Sequence, residues 1–312
     1  MILFTADLHI KLGQKNVPKD WALNRYNMFI DQSTNVPHSL HIMGGDVFDR
    51  VPSVEELAVY FNLVLAQPQE TIILDGNHEA TKKNQTFLTL LADATNALNN
   101  KVTVVTKSAE YNDFSILPYA DLHKAGSIER LDSSLPLFTH VRGEIPPHVK
   151  PEIDLDRLRD FPVVYAGDLH SHSNSQRNIV YPGSPMTTSF HRKEVKTGYL
   201  LIDEEDLTKW TWHEFDLPQL IRKTVSSEDE MVPTDFHHTI YEVEGDLQQL
   251  SKVSNSDLLD KKIVKRASEV SINLTDKTIE EELLTYLEEV LQVKGDALEA
   301  TMEVFNACPK PS

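Results

Sequence analysis

The chain has 312 residues, enough for one large domain and a small one, and its 40% hydrophobic and 25% charged content is that of an ordinary globular protein. No apolar run nears the ~18 residues needed to cross a bilayer, so no membrane partner is expected. The net charge of -18 speaks against a broad basic face for a polyanion.

Local basic groups remain, at His191-Arg192-Lys193 and at Lys261-Lys262 with Lys265-Arg266. A polyanion would have to be held through cations, through such patches, or with a more basic partner. The single cysteine, Cys308, leaves no intrachain disulfide and fits a reducing, cytoplasmic compartment.

The N-terminus lacks a charged region and a cleavage site. Met1 to Ala6 therefore predicts a core strand and not a signal peptide. It runs straight into Asp7-Leu8-His9. His41-Ile42-Met43 predicts a second strand, followed by Gly45-Asp46-Val47-Phe48-Asp49. A helix is predicted over 54–65, with Ser53 as its cap and Glu55 and Glu56 in its first turn. The apolar run 71–74 leads into Gly76-Asn77-His78-Glu79. An apolar stripe of Phe87, Leu88, Leu91 and Leu98 predicts a helix over 85–98. Strands follow at 101–105 and 114–117. Phe138-Thr139-His140 and then Gly167-Asp168-Leu169-His170, after Val163-Val164-Tyr165-Ala166, complete the series. A strand pair is predicted at 198–202 and 209–215.

A boundary is expected near Leu217-Pro218. Beyond it, a strand at 238–243, a helix at 246–253 and an extended stretch within 263–274 predict a small α/β domain over 218–277. It has roughly 60 residues, near the lower limit for an independent core. From Thr278, Ile279, Leu283, Leu287, Val290 and Leu291 recur at helical spacing. Gly295 interrupts them, and Leu298, Met302 and Phe305 continue. Residues 278–312 thus read as a helical tail with apolar faces.

Five strand-like runs each end in Asp, Asn or His. A parallel-type sheet delivers metal ligands from its strand ends in this way. A lone Asp-x-His is mostly chance, and Gly-Asp-x-x-Asp is a common turn. Gly-Asn-His-Glu after a strand is far more specific, and the ordered set of five is more so. Asp7, His9, Asp46, Asn77, His140, Asp168 and His170 supply mixed nitrogen and oxygen donors. These suit Mn²⁺ or Fe²⁺, with Asp46 as bridge between two ions. The clusters contain no cysteine, which speaks against a structural zinc site. His78, one residue past a ligand, is placed to protonate a leaving oxygen, with Asp49 orienting it. His38, His41, His123, His148, His213, His237 and His238 read as packing or surface residues.

The motifs resemble the calcineurin-like metallophosphoesterase superfamily. Within it, the opening through His9 and Gly45 to Asp49 resemble the SbcD-type nucleases, bacterial and phage counterparts of the meiotic-recombination-eleven nuclease. So does Tyr181-Pro182-Gly183-Ser184-Pro185 with Ser189-Phe190. The likeness covers residues 1 to about 215 and the remainder only in layout.

It implies a four-layer αββα sandwich over 1–217, with a small α/β capping domain and a helical tail. It implies two divalent ions, Mn²⁺ in kind, and 3′-to-5′ exonuclease and endonuclease activity on DNA. Asp7, His9, Asp46 and His170 would hold one ion; Asp46, Asn77, His140 and Asp168 the other. An SbcC-type coiled-coil ATPase would be the partner. The helices at 54–65 and 87–98 would pair two copies into a homodimer.

One position departs from the family. Gly167-Asp168-Leu169-His170 stands where Gly-His-x-His is usual. Asp168 with His170 keeps Gly167 at its turn, whereas another register would use His170 and His172. Two other readings compete: a phosphoesterase for small molecules or phosphoproteins with the same centre, and a non-catalytic subunit that binds a partner or DNA.

Overall fold

The computed structural model describes residues 1–82, 85–264, 278–290 and 293–307. Lys265, Arg266, most of the extended stretch expected within 263–274, Leu291 and Cys308 fall outside the described residues. The chain divides into two units. The first comprises Met1–Lys223, Met231–Tyr241 and Ser256–Asp260; the second comprises Thr224–Glu230, Glu242–Asn255 and Lys261–Ser312.

The first unit opens with β1 (Ile2–Thr5), α1 (Lys19–Asn35), β2 (Leu40–Met43), α2 (Val54–Ala66), β3 (Glu70–Ile73), β4 (Ala80–Lys82), β5 (Gln85–Thr86) and α3 (Leu88–Leu98). It continues with β6 (Val102–Val104), β7 (Ala109–Glu110), β8 (Ser115–Leu117), α4 (Tyr119–Leu122), β9 (Leu137–His140), β10 (Val164–Gly167), β11 (Ile179–Val180), β12 (Gly198–Ile202) and β13 (Trp210–Glu214). Two sheets result. The six-stranded sheet runs β13-β12-β1-β2-β3-β6, with β1, β2, β3 and β6 parallel and β12 antiparallel to β1. The five-stranded sheet runs β11-β10-β9-β8-β7, parallel except for β7.

Side chains alternate across each strand, so both faces of each sheet are buried. Ile2, Phe4, Ile42 and Ile72 of one sheet meet Ile116, Phe138 and Tyr165 of the other in a shared core. Its centre is aromatic: Phe4 and Phe138 lie edge to face at 5.4 Å, and Phe138 stacks on Tyr165 at 5.0 Å. On the far face of the larger sheet, Met43, Ile73 and Val102 pack against Tyr26 and Phe29 of α1, Tyr60 and Leu63 of α2, and Leu88 of α3. On the far face of the smaller sheet, Leu137, Val164 and Ile179 pack against Leu122 of α4 and against Leu155, Leu158 and Phe161. Each such side chain contributes about 1.5–3 kcal/mol by burial.

The cap expected for α2 is a reciprocal box. The Ser53 hydroxyl accepts from Glu56 N–H, and the Glu56 carboxylate accepts from Ser53 N–H. The helix expected over 85–98 begins at Leu88 because Gln85 and Thr86 pair with β4 instead. The 17-residue α1 is absent from the sequence-based expectations. Its buried face rests on Ala22, Tyr26 and Phe29, set among Asn, Arg, Asp and Gln.

Leu220–Val225 (β14), His238–Gly245 (β15) and Leu259–Val264 (β16) form a three-stranded sheet, with α5 (Leu247–Lys252) after β15. Asp246 caps α5 by accepting from Gln249 N–H at 2.8 Å. In the second unit, α6 (Ile279–Thr285) carries Thr278 as its cap, runs into a π-turn over Tyr286–Val290, and is followed by α7 (Asp296–Ala307). Gly295, with φ 62°, stands immediately before α7. No helix among the described residues is long and apolar enough to cross a membrane.

Candidate metal centre

Five parallel strands bring their C-terminal ends to one place. β1, β2 and β3 deliver Asp7, Asp46 and Asn77; β9 and β10 deliver His140, Asp168 and His170. The loops are tied to one another. Asp7 N–H donates to Gly45 O at 3.0 Å and His9 N–H to Asp46 O at 2.9 Å. The two sheets are tied here as well. His140 Nδ1 donates to the Gly44 carbonyl at 2.8 Å, and Asp168 N–H donates to the Asp7 carboxylate at 3.0 Å.

Asp7, His9, Asp46 and Asp168 all hold left-handed backbones, with φ of 60°, 47°, 51° and 103°. Side chains rarely adopt this region, and such residues persist where the surroundings over-determine them. Close approach also demands glycine: a Cβ on Gly76 would lie 2.2 Å from Asp46 Oδ1.

The donor atoms converge. His9 Nε2 lies 3.1 Å from His170 Nε2 and 3.6 Å from Asp46 Oδ2. His140 Nε2 lies 3.5 Å from the same Asp46 oxygen and 2.9 Å from Asn77 Oδ1. Three donor sets result, Asp7–His9–His170, His9–Asp46–His78 and Asp7–Asp46–His140, each with its atoms within 4.8 Å of one another. The Asn77 amide sits where these groups meet. Its inward atom is 3.2 Å from Asp168 Oδ1, 3.3 Å from Asp46 Oδ2 and 2.9 Å from His140 Nε2. With nitrogen inward, it would donate to all three. With oxygen inward, it faces acceptors, and a cation among them satisfies every one.

The electrostatics ask for the same thing. Asp7 is 0% exposed, Asp46 1% and His140 0%. Burial, reinforced by Asp46 and Asp168, raises the Asp7 pKa well above its ordinary value, though His140 opposes it. Burial draws His140 down, but Asp46, Asp7 and Asp168 outweigh it and push its pKa up to about 9. Burial and the neighbouring His170 and His78 hold His9 well below its ordinary value. Buried carboxylates pressed together, with imidazoles facing one another, form a cluster that lacks positive charge at its middle. The residues present therefore fit divalent cations.

The seven predicted ligands are brought together, and His78 stands at the rim. Its Nδ1 donates to a carbonyl at 2.7 Å, which leaves Nε2 facing inward, 4.0 Å from Asp46 Oδ2. That carbonyl belongs to Asp49, so the expected orienting contact runs through the backbone. The Asp49 carboxylate instead pairs with Lys11 at 2.7 Å and lies 3.7 Å from His9 Nδ1. Asp168 arrives with both oxygens on Arg142. His172 does not join: its Nδ1 meets Tyr181 O at 2.7 Å and its ring stacks on Trp212.

Glu79 has a function that sequence reasoning missed. Its buried carboxylate accepts from the N–H groups of Gly76 at 2.7 Å, Phe48 at 2.8 Å and Asp46 at 3.1 Å, joining two ligand loops. Burial and the Asp46 charge push its pKa up to about 8. The signal was available as the last residue of Gly-Asn-His-Glu. Arg142 carried no motif. Within Tyr181 to Pro185, the Ser184 hydroxyl donates within reach of Asp7 O at 2.7 Å and braces the first ligand loop.

Carboxylate and imidazole donors gathered at the strand ends of an α/β fold can hold metal ions. No protein-family model matches the chain. It is 44% identical over 313 residues to the "Probable exonuclease subunit 1" of Escherichia phage T5, across 95% of this chain and 94% of that protein, and it belongs to that protein's family. It is also 25% identical over 256 residues to the "Putative phosphoesterase 078R" of Invertebrate iridescent virus 3, across 73% of this chain and 70% of that one. One solved structure, 12% identical, aligns over 69% of this chain and 98% of its own with a TM-score of 0.45.

Proposed function

We propose that the chain is the DNA nuclease subunit of an SbcCD-type ATPase–nuclease complex, a 3′-to-5′ exonuclease and endonuclease acting in the cytoplasm. The observation that carries this reading is the Asn77 amide, set within 3.3 Å of Asp46, Asp168 and His140 atoms. The family relationship adds to it, because the T5 relative is named an exonuclease subunit. In this reading the two facing sheets and their outer helices are the four layers of a metallophosphoesterase sandwich over 1–217. Residues 218–277 form the capping domain, and 278–312 form a tail that docks on the ATPase. Ile279 and Val304 there are 70% and 67% exposed, in keeping with a missing partner. Val54 of α2 and Leu90 of α3, both 83% exposed, support pairing of two copies through these helices.

Asp7, His9, Asp46 and His170 would hold one ion, and Asp46, Asn77, His140 and Asp168 the other. Divalent cations, Mn²⁺ on this donor set, would supply charge to offset the phosphate and acidity to activate water near neutral pH. The Gly44 carbonyl fixes the His140 ring by accepting from Nδ1, whereas the Asp49 carboxylate lies 3.7 Å from His9 Nδ1, beyond hydrogen-bond reach. His78, held by the Asp49 carbonyl, presents Nε2 to the leaving oxygen and protonates it.

The test is cleavage of a labelled DNA hairpin beside p-nitrophenyl phosphate and a cyclic nucleotide. DNA should be cut with Mn²⁺ and spared with chelator. Preference for either small substrate replaces the nuclease with a small-molecule phosphoesterase. Bound metal without cleavage of any substrate points to a non-catalytic subunit.

A further inference from the structure

Arg25 of α1 is 3% exposed, and among the described residues it makes no ion pair. Its guanidinium lies over the rings of Trp21 and Tyr26, at 5.1 and 5.6 Å, and its Nε has no hydrogen-bond partner. A buried cation without a carboxylate is costly, and ring faces offset only part of the loss. A methionine would fill the same place on α1 at less cost. What the arginine supplies is one directed bond: Nη1 donates to the Thr187 carbonyl at 2.8 Å.

That carbonyl belongs to a loop that touches one side of the metal centre. Ser184 N–H donates to His170 O at 3.1 Å, and the Ser184 hydroxyl donates to Asp7 O at 2.7 Å. Thr187, 2% exposed, is held a second time, since its hydroxyl accepts from Leu220 N–H at 2.8 Å. Thr188 follows, with its hydroxyl 3.1 Å from His170 Nδ1. A hydroxyl that accepts the Nδ1 proton leaves Nε2 as the atom free to face a cation. Tyr26, the next residue of α1, donates to His9 O at 2.8 Å. Two consecutive residues of one helix thus grip the His9 loop and the loop beneath His170, whose Nε2 atoms are 3.1 Å apart.

Resting on the ligand sets proposed above, we infer that Arg25 is a positioning residue for the ion shared by His9 and His170, acting through Thr187 and Thr188. None of its contacts reaches Asn77, His140 or Asp168, so the other ion is indifferent to it.

The experiment titrates the full chain with Mn²⁺ and follows the free-ion electron paramagnetic resonance signal, a readout independent of cleavage. The unaltered chain should take up two ions. Arg25→Met and Thr188→Val should each weaken one of them about 10–100-fold and leave the other unchanged. Arg25→Lys keeps the charge and a donor, Thr188→Ser keeps the hydroxyl, and each should recover most of the affinity. Arg25→Met and Thr188→Val combined should be no worse than one alone, because both act along one path. Thr188 is only half-buried, so its variants test the path even where Arg25→Met does not fold. Variants that leave both affinities untouched, weaken the two ions alike, or show no rescue by lysine and serine overturn the inference and leave the metal centre standing. No Mn²⁺ uptake by the unaltered chain removes the metal centre, and the inference with it.

Discussion

Arg142 holds Asp168 with both arms of its guanidinium: Nε donates to Oδ2 at 3.1 Å and Nη2 to Oδ1 at 3.0 Å. Asp168 is 6% exposed and Arg142 39%. The Asp168 carboxylate thus comes with its own counter-charge. The pair is closer in net charge to a neutral ligand than a bare aspartate would be. Removing the arginine leaves a nearly buried carboxylate without its partner. Arg142→Ala should lower the stability of the metal-free protein by about 1–3 kcal/mol, discounted for the exposed arginine. Added Mn²⁺ should recover much of that loss. Melts with chelator and with metal decide the matter, and an equal loss under both conditions would reject the linkage.

The choice of register is tested separately. Asp168→Ala should reduce bound metal measurably, whereas His172→Ala should not, since His172 is engaged by Tyr181 O and Trp212. Elemental analysis of the two variants is enough; the reverse pattern assigns the site to His172.

His78 and Asp46 should separate chemistry from binding. His78→Ala should keep the metals and lose about 10²–10⁴-fold in rate, the usual worth of a positioned acid. Asp46→Ala should lose metal as well, because the Asp46 carboxylate lies within 3.6 Å of both His9 and His140. Full activity in the His78 variant removes its assigned role.

Glu79 and His140 give a pH signature. Both have folded pKa values raised above their unfolded ones, to about 8 and about 9. Each therefore binds a proton more tightly when folded. The stability this supplies is complete below the unfolded values and is lost as pH rises through the folded ones. The metal-free protein should lose stability between about pH 4.5 and 9, through Glu79 up to about pH 8 and through His140 from about pH 6.5, and Glu79→Gln should flatten the lower part of that slope. Bound metal should flatten more of it, by replacing the proton as counter-charge. A metal-free melting temperature that rises across this window contradicts the assignment.

Gly76→Ala is a steric probe. Its φ of -124° suits alanine, so the obstacle is the close approach of Asp46, whose Oδ1 would lie 2.2 Å and whose backbone N 2.5 Å from the new Cβ. Metal content should drop sharply while far-ultraviolet circular dichroism stays unchanged. Normal metal content would mean that the Asp46 loop can move aside.

The readable parts of the molecule were the local ones. Strand-end phrases such as Gly76 to Glu79 hold their ligands within a few residues of a β-branched run, so periodicity and motif coincide. The Ser53–Glu56 box is local in the same way. What escaped depends on distance in sequence. Arg142 meets Asp168 across 26 residues and has no signature of its own. Asp49 meets His78 through its carbonyl, and which of its atoms makes the contact depends on a backbone course that spacing cannot show. The α1 helix hid because its core face is only three residues wide. The left-handed backbones at Asp7, His9 and Asp46 are imposed by the loops they pack against, and no residue there was glycine to announce them.

The hydrogen bonds from His140 to Gly44 and from Asp168 to Asp7 cross from one sheet to the other. This has a consequence for how the protein is made. The first 77 residues contain Asp7, His9, Asp46 and Asn77, but His140 and His170 come only with the strands of the second sheet, at the ends of β9 and β10. A chain still short of residue 170 holds half a centre. Assembly of the full donor set is therefore a late step of biosynthesis, complete only once the two sheets have closed on each other.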